Sequence, residues 1–371
     1  MRRKNTFEIF LVAAPGMEKF LGQEVREKGF EKSSNLVGGV SFRGDWSDVW
    51  RANLELRGAT RVLARIGAFS VSHLAQLDKR AREFQWAKVL RPDIAVKVDV
   101  TCRKSKIYHA GAAAQRIETA ITEELGAPIS KDAEVGIKAR IEENRCVLSI
   151  DTSGESLHKR GHKTFTGKAP MRETLAALFL RESDFDGTEP VIDPMCGSGT
   201  FIIEAAEIAA GFQPGRDRSF AFEQLATFDA EAFSGMRRPV VREPVDQVFR
   251  GFDRDAGAIQ GAVANATRAG VSDLTEFTNQ ALSDLHPPKG PKGLVIVNPP
   301  YGARIGDKKA LFGLYGALGK TLKERFSGWR VGIITTDAGL ARATGLPLLP
   351  PGPVVAHGGL KVKLFRTNPL P

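Results

Sequence analysis

Pro190-Val-Ile-Asp-Pro-Met-Cys-Gly-Ser-Gly-Thr-Phe201 decides the fold of this 371-residue chain. A short apolar run, two glycines and then the apolar, Ala-rich stretch Ile202–Ala210 read as strand, glycine turn and helix. Gly197 and Gly199 remove side chains where a ligand must approach the backbone, and a helix starting near Thr200 offers N–H groups to a carboxylate or phosphate. A nucleotide-like ligand is expected there. The Gly-Lys-Ser/Thr ending of NTPase phosphate loops is missing, and Ile202 stands where the dinucleotide fingerprint needs its third glycine. ATP and NAD are therefore disfavoured.

Further along, acidic residues follow three apolar segments: Asp193 itself, Asp253 after Val248–Phe252, and Asp284 after Leu274–Asn279. In an open parallel sheet the carboxyl ends of neighbouring strands line one crevice, so the three converge on one ligand. An Asp at the end of the second strand is placed to accept from both ribose hydroxyls, which assigns that role to Asp253. Beyond them, Asn298-Pro-Pro-Tyr301 follows the apolar run Gly293–Val297. An exocyclic amine of a purine or cytosine is a poor nucleophile because its lone pair is delocalised into the ring. The Asn298 side-chain oxygen and the Pro299 carbonyl can accept from its two hydrogens, with Pro300 stiffening the turn and Tyr301 offering an exposed flat face to a flipped base. Amino methylation is the chemistry expected.

Asp193–Phe201 together with Asn298–Gly302 resembles the class I S-adenosylmethionine-dependent methyltransferases. Within them it is most similar to the THUMP-domain RNA guanine-N2 enzymes, in particular those acting on bacterial 23S rRNA. Leu157-His-Lys-Arg-Gly-His-Lys163 and Ala169-Pro-Met-Arg-Glu-Thr-Leu-Ala-Ala177 are similar to the stretch preceding the glycine loop in that family. The resemblance implies an α/β, Rossmann-like seven-stranded methyltransferase domain, preceded by an α+β region comprising a ferredoxin-like segment and a THUMP module. It implies S-adenosyl-L-methionine as cofactor, with Asp193, Cys196, Gly197 and Gly199 around its methionine part, Asp253 on the ribose and Asp284 on the adenine amine. Asn298–Tyr301 then hold the guanine, with no covalent enzyme intermediate. Rival activities served by the same four-residue motif are tRNA guanine-N2 and DNA adenine-N6 or cytosine-N4 methylation. A catalytically dead RNA-binding assembly protein is a rival of another class.

The formal net charge is +10. Residues 1–165 hold 29 Lys and Arg against 21 Asp and Glu, and residues 51–110 hold 13 against 5, so nearly all the excess precedes the catalytic half. A polyanion would be drawn there by counterion release. Arg103, Lys104, Lys106 and His109, with Lys159 and Arg160 in a basic hinge, are the expected RNA contacts. The partner is then RNA, either 23S rRNA or a precursor particle, met by a monomer.

The breaks along the chain divide it into 1–60, the ferredoxin-like segment; 61–155, the THUMP-like part; 156–170, a polar basic hinge; and 171–371, the catalytic domain. Strands are expected at Phe7–Ala13, Gly39–Phe42, Arg61–Phe69, Ile94–Thr101, Val135–Ile141 and Arg145–Asp151, with helices at Met17–Lys28, Trp46–Asn53, Leu74–Val89 and Ala110–Leu125. Residues 211–245 lengthen the distance from Asp193 to Asp253 and read as an insertion. No apolar run reaches the roughly 20 residues of a membrane span, and Cys102, Cys146 and Cys196 form no paired or metal-binding spacing. A cytoplasmic protein is expected. His158 and His162 are four apart, but Lys159, Arg160 and Lys163 surround them without a completing carboxylate, so no metal is expected. Cys196 is expected to be a packing residue, not a nucleophile.

Overall fold

The structure, a computed structural model, describes residues 6–166, 170–237, 244–302 and 308–371. The chain forms two compact units.

The first unit is built on β1 (Phe7–Val12), α1 (Glu18–Glu27), β2 (Ser34–Leu36), β3 (Gly39–Gly44), α2 (Trp46–Glu55), β4 (Arg61–Ser70), α3 (Leu74–Glu83), β5 (Val96–Arg103), α4 (Ala110–Leu125), β6 (Val135–Glu142) and β7 (Arg145–Asp151). Its seven strands form one sheet in the order β2-β3-β1-β4-β7-β6-β5. The ten-residue β4 explains the continuity. It pairs antiparallel with β1 over its first half and with β7 from Leu63 to Ser70, shifting register between Arg65 and Gly67. The sheet thus runs unbroken past residue 60, where the sequence suggested a division. Helix α2 starts on a reciprocal cap, Asp45 accepting from the Ser47 and Asp48 amides while Asp48 accepts from the Asp45 amide. α4 buries Ala113, Ile117, Ala120 and Ile121 at helical spacing and ends on Gly126 in the left-handed region. α3 stops earlier than its pattern suggests, because Phe84 turns extended and packs at a tilt on Trp86, with ring centroids 4.6 Å apart.

The second unit opens with α5 (Glu173–Glu182), β8 (Val191–Asp193) and α6 (Thr200–Ala209). Residues 215–237, with α7 (Ala230–Ser234), then belong to the first unit and not to the catalytic half. Their aromatic rings account for this: Phe222, Phe228 and Phe233 surround the Trp50 indole at 5.7–6.4 Å between centroids, and the Arg218 guanidinium donates to the carbonyls of Ser153, Glu155 and Ser156. The second unit resumes with β9 (Phe249–Asp253), α8 (Ala256–Ala269), β10 (Thr275–Asn279), β11 (Leu294–Val297), α9 (Lys308–Arg325), β12 (Arg330–Thr335), α10 (Ala338–Ala343), β13 (Val355–His357) and β14 (Leu360–Arg366). Its sheet order is β10-β9-β8-β11-β12-β14-β13. The first five strands in that order are parallel and β14 is antiparallel to β12. β8 and β11 are apolar throughout apart from Asp193, and all their residues are buried, as parallel strands covered on both faces require. The strand order reverses between β8 and β11, and the crevice beyond their carboxyl ends is where such sheets bind ligands.

Candidate active site

The loop after β8 is held closed by its own backbone. The Cys196 amide donates to the Phe252 carbonyl at 2.8 Å, and the Gly199 amide to the Cys196 carbonyl at 2.8 Å. Gly197 and Gly199 both have positive φ, at 51° and 79°. Their surroundings differ. A Cβ on Gly199 would lie 3.0 Å from the Phe277 ring and 3.1 Å from Ala262, so this glycine permits packing, whereas a Cβ on Gly197 would meet nothing within 4 Å. Gly197 faces open space beside the crevice.

Asp253, the last residue of β9, ties two neighbours together: one carboxylate oxygen accepts from the Gly197 amide at 3.0 Å, the other from the Asp255 amide at 3.0 Å. Each oxygen has two acceptor positions, so one remains on each for a pair of vicinal hydroxyls. Asp193 is 2 % exposed and accepts from the Met195 amide at 3.0 Å. Burial, with the nearby Asp253 charge adding, pushes its carboxyl up to about 8. The Cys196 thiol is raised well above its usual range by burial, so it is a packing group and not a ready nucleophile. Asp284 stands apart, exposed at the end of a single turn Leu282–Asp284, its carbonyl accepting from the Gln280 side chain at 2.6 Å. Among the described residues no hydrogen bond joins it to the glycine loop. Open space at Gly197 with a ribose-competent carboxylate beside it fits S-adenosylmethionine.

The loop after β11 is the neighbour of the glycine loop, since Leu294 and Val295 pair with Val191 and Ile192. Asn298 is half-buried and its side-chain oxygen, Oδ1, is fully buried with no hydrogen-bond partner among the described residues. An acceptor withdrawn from water and left without a donor costs about 1–3 kcal/mol, so this one is suited to a donor brought by a ligand. Tyr301 departs from expectation: it is 7 % exposed, not an open stacking face, and burial pushes its phenol up to about 12. The ring's apolar area favours the interior, where it lies near Tyr315.

Arg160 was expected on an RNA-facing surface and is instead 2 % exposed. Its guanidinium pairs with Glu204 and, at 3.3 Å, with Glu207. These carboxylates are three apart on α6, share a face, and point inward, where each needs a cation. Lys159 remains exposed. Lys163, the last residue of the 157–163 stretch that resembled the family, donates to the Met171 carbonyl at 2.6 Å and to the Thr200 hydroxyl at 2.8 Å, and pairs with Glu173 at 3.5 Å. Burial lowers its ammonium pKa, with Glu173 opposing. Asn265 on α8 completes the brace, its amide nitrogen donating to the carbonyls of Phe165 and Ser198 at 3.1 Å each. Asn265 carried no motif signal. His158 is pushed down to about 4 by burial and by the cations of Arg172, Lys163, Lys159 and Arg160.

In the first unit, Arg103, Lys104 and Lys106 are exposed between β5 and α4, next to Tyr108 at 85 % exposure. Asn144 shapes this turn by accepting from the Ser105 hydroxyl and the Lys106 amide. His109 commits Nδ1 to capping α4, accepting from the Ala112 amide at 3.0 Å, which leaves Nε2 as its available nitrogen.

Comparison with known proteins places this geometry. The model of the RMKL-like methyltransferase domain matches residues 160–347, and that of the RlmL ferredoxin-like domain matches residues 8–63. A protein of Synechocystis sp. named for RNA methylation is 31% identical over 372 residues, 96% of this chain and 95% of its own. A ribosomal RNA large subunit methyltransferase K/L of Vibrio cholerae is 34% identical over 341 residues, 88% of this chain but 48% of its own, so the chain spans about half the length of the K/L relatives it matches. A structure named as a methyltransferase and solved with S-adenosylhomocysteine superimposes with a TM-score of 0.89 at 29% identity, covering 99% of both chains. A Listeria monocytogenes structure named as an N6-adenine-specific DNA methylase gives 0.86 at 29% identity, covering 98% of this chain and 96% of its own. The chain belongs to the RMKL-like methyltransferase family: a ferredoxin-like segment precedes a Rossmann-like class I domain whose cofactor is S-adenosylmethionine.

Proposed function

We propose that this protein methylates the exocyclic N2 amine of a guanine in RNA, with 23S rRNA as the substrate. The buried, unpartnered Oδ1 of Asn298 at the end of β11, beside the glycine loop, carries the reading. When bound, S-adenosylmethionine supplies a methyl group already activated on a sulfonium. The chain's own work is then mainly alignment. Gly197 leaves room for the methionine part, with Asp193, Cys196 and Gly199 shaping the wall; Asp253 accepts from the ribose hydroxyls; Asp284 takes the adenine amine. Asn298 Oδ1 and the Pro299 carbonyl accept from the target amine and aim its lone pair at the methyl carbon. The proton released on transfer passes to solvent.

Several features favour RNA over DNA. The exposed Arg103, Lys104 and Lys106 flank an exposed aromatic ring, a combination suited to a phosphate backbone and an unpaired base, with His109 and Lys159 adding contacts. We assign RNA capture to a THUMP-like part at residues 61–155. Relatives named for RNA or large-subunit rRNA methylation reach 31% and 34% identity. Among the described residues no helix is long and apolar enough to cross a membrane, and the reading places the enzyme in the cytoplasm, acting as a monomer.

Nucleoside mass spectrometry of rRNA and tRNA from cells with and without the gene tests the proposal. Loss of N2-methylguanosine from the large rRNA is expected. Loss from tRNA, or loss of N6-methyladenine from DNA, would redirect it. The Listeria neighbour's name keeps the DNA outcome in the assay. An inactive binding protein is the remaining alternative, and unchanged methylation despite thermal stabilisation by S-adenosylmethionine would favour it.

A further inference from the structure

The turn that carries Asn298 has few means of holding itself. Pro299 and Pro300 have no amide hydrogen, so two of its backbone positions cannot donate. Among the described residues, one hydrogen bond reaches the backbone of residues 299–301, and it comes from outside: the Tyr315 hydroxyl on α9 donates to the Pro300 carbonyl at 3.4 Å. Tyr315 is fully buried, and the side chain of Thr335, the last residue of β12 and also fully buried, lies near its phenol.

Hydrogen counting fixes the direction of this chain. A phenol has one hydrogen, and a carbonyl can only accept, so the Tyr315 hydrogen goes to Pro300. The Thr335 hydroxyl oxygen accepts from the Asp337 amide at 3.3 Å, which leaves its one hydrogen for the nearby phenol oxygen. Two buried hydroxyls thus stand between the backbone after β12 and the substrate turn. Burial raises the Tyr315 phenol above its ordinary pKa, so the donor keeps its proton. The ring of Pro300 already locks that residue's φ, and a bond on its carbonyl restrains the other dihedral.

We propose that Tyr315, held by Thr335, is a positioning residue for methyl transfer: it fixes the Pro300 carbonyl and thereby aims the Asn298 oxygen and the Pro299 carbonyl at the target amine. This rests on the base-binding reading of Asn298–Tyr301. Neither side chain need touch substrate or cofactor.

The test compares Tyr315→Phe, Thr335→Val, Thr335→Ser and Asn298→Ala in the full chain, with bulk rRNA from cells lacking the gene as acceptor. Tyr315→Phe should lower kcat by roughly tenfold to a hundredfold, the scale of a misplacement of about 1 Å at a reacting centre. KM for rRNA and calorimetric affinity for S-adenosylmethionine should stay within about twofold, a split that general loosening of the fold would not give. Thr335→Val should fall in the same direction, while Thr335→Ser, which keeps the hydroxyl, should hold closer to the parent rate. A parental kcat in Tyr315→Phe, or a fall in cofactor affinity that matches the fall in kcat, overturns the proposal. Should Tyr315→Phe not fold, equal rates for the two Thr335 variants overturn it. An active Asn298→Ala would instead refute the base-binding reading, whereas a dead Asn298→Ala beside a parental Tyr315→Phe refutes the positioning role alone.

Discussion

The two loops at the carboxyl end of the second sheet solve opposite problems. The one after β8 satisfies itself: its amides bond to Phe252, Cys196 and Asp253, and its open face is the space above Gly197. The one after β11 is stiff but incomplete, with a buried carboxamide oxygen that lacks a donor and a backbone steadied by a neighbouring helix. A cofactor can therefore bind to a surface that is already built, while the acceptor base is asked to supply a missing hydrogen bond. Binding energy for the first is realised in the ground state, and that for the second close to the reacting atoms.

Asn298→Ala attacks the contrast most directly. It should cut transfer by roughly a hundredfold to a thousandfold, the range seen when one preorganised polar partner of a transition state is lost. S-adenosylmethionine affinity, measured by calorimetry, should barely move. Asp253→Ala is the mirror experiment and should weaken cofactor binding by about a hundredfold, through two lost charge-assisted hydrogen bonds, with a smaller loss of kcat at saturation. Equal loss of cofactor affinity in both variants would erase the distinction between the loops.

The two glycines sharpen it within a single loop. Gly199→Ala should lower the melting temperature, since it combines positive φ with contacts of 3.0–3.1 Å against Phe277 and Ala262. Gly197→Ala has space to fill in the apo protein, so its larger effect should fall on cofactor affinity. If melting and titration rank the two alike, the open space above Gly197 is not the ligand's.

The last contrast is electrostatic. Burial raises the Asp193 carboxyl from its ordinary value near 3.8 to about 8 in the folded chain. The folded state therefore binds more protons than the unfolded one between those limits. Its advantage is complete below the unfolded pKa and is lost as pH rises through about 8. Asp193→Asn removes that dependence, so the melting temperature of the apo variant relative to the parent should rise steadily from pH 4 to pH 8.

Local signals were legible in the sequence. The helix Ala110–Leu125 and the strand Arg145–Asp151 appear with the boundaries their patterns suggest, because alternation and the Gly126 stop act over a few residues. The glycine turn and the strand before Asn298 were legible for the same reason. What remained hidden depends on distant partners. Nothing near Arg160 announces that Glu204 and Glu207 will need it, and nothing near Phe222 announces the Trp50 indole. Tyr301 carries a motif, but whether a ring faces outward or inward is decided by α9 and β12, not by the prolines beside it. The three-residue β2 was missed because its residues are all exposed and leave no periodic trace.

The Arg160 cluster has a practical consequence for dissecting the chain. A fragment begun at residue 171, where the catalytic half seemed to start, would leave Glu204 and Glu207 inside the protein without their guanidinium, and would also remove the ammonium beside Glu173. Stripping one partner from a buried ion pair costs about 3–5 kcal/mol, a large share of a domain's whole margin of about 5–15 kcal/mol. Shortened versions should therefore start ahead of Leu157, and even these would carry residues 215–237 with Phe222, Phe228 and Phe233 stripped of the Trp50 indole, so the full chain is the better unit to study.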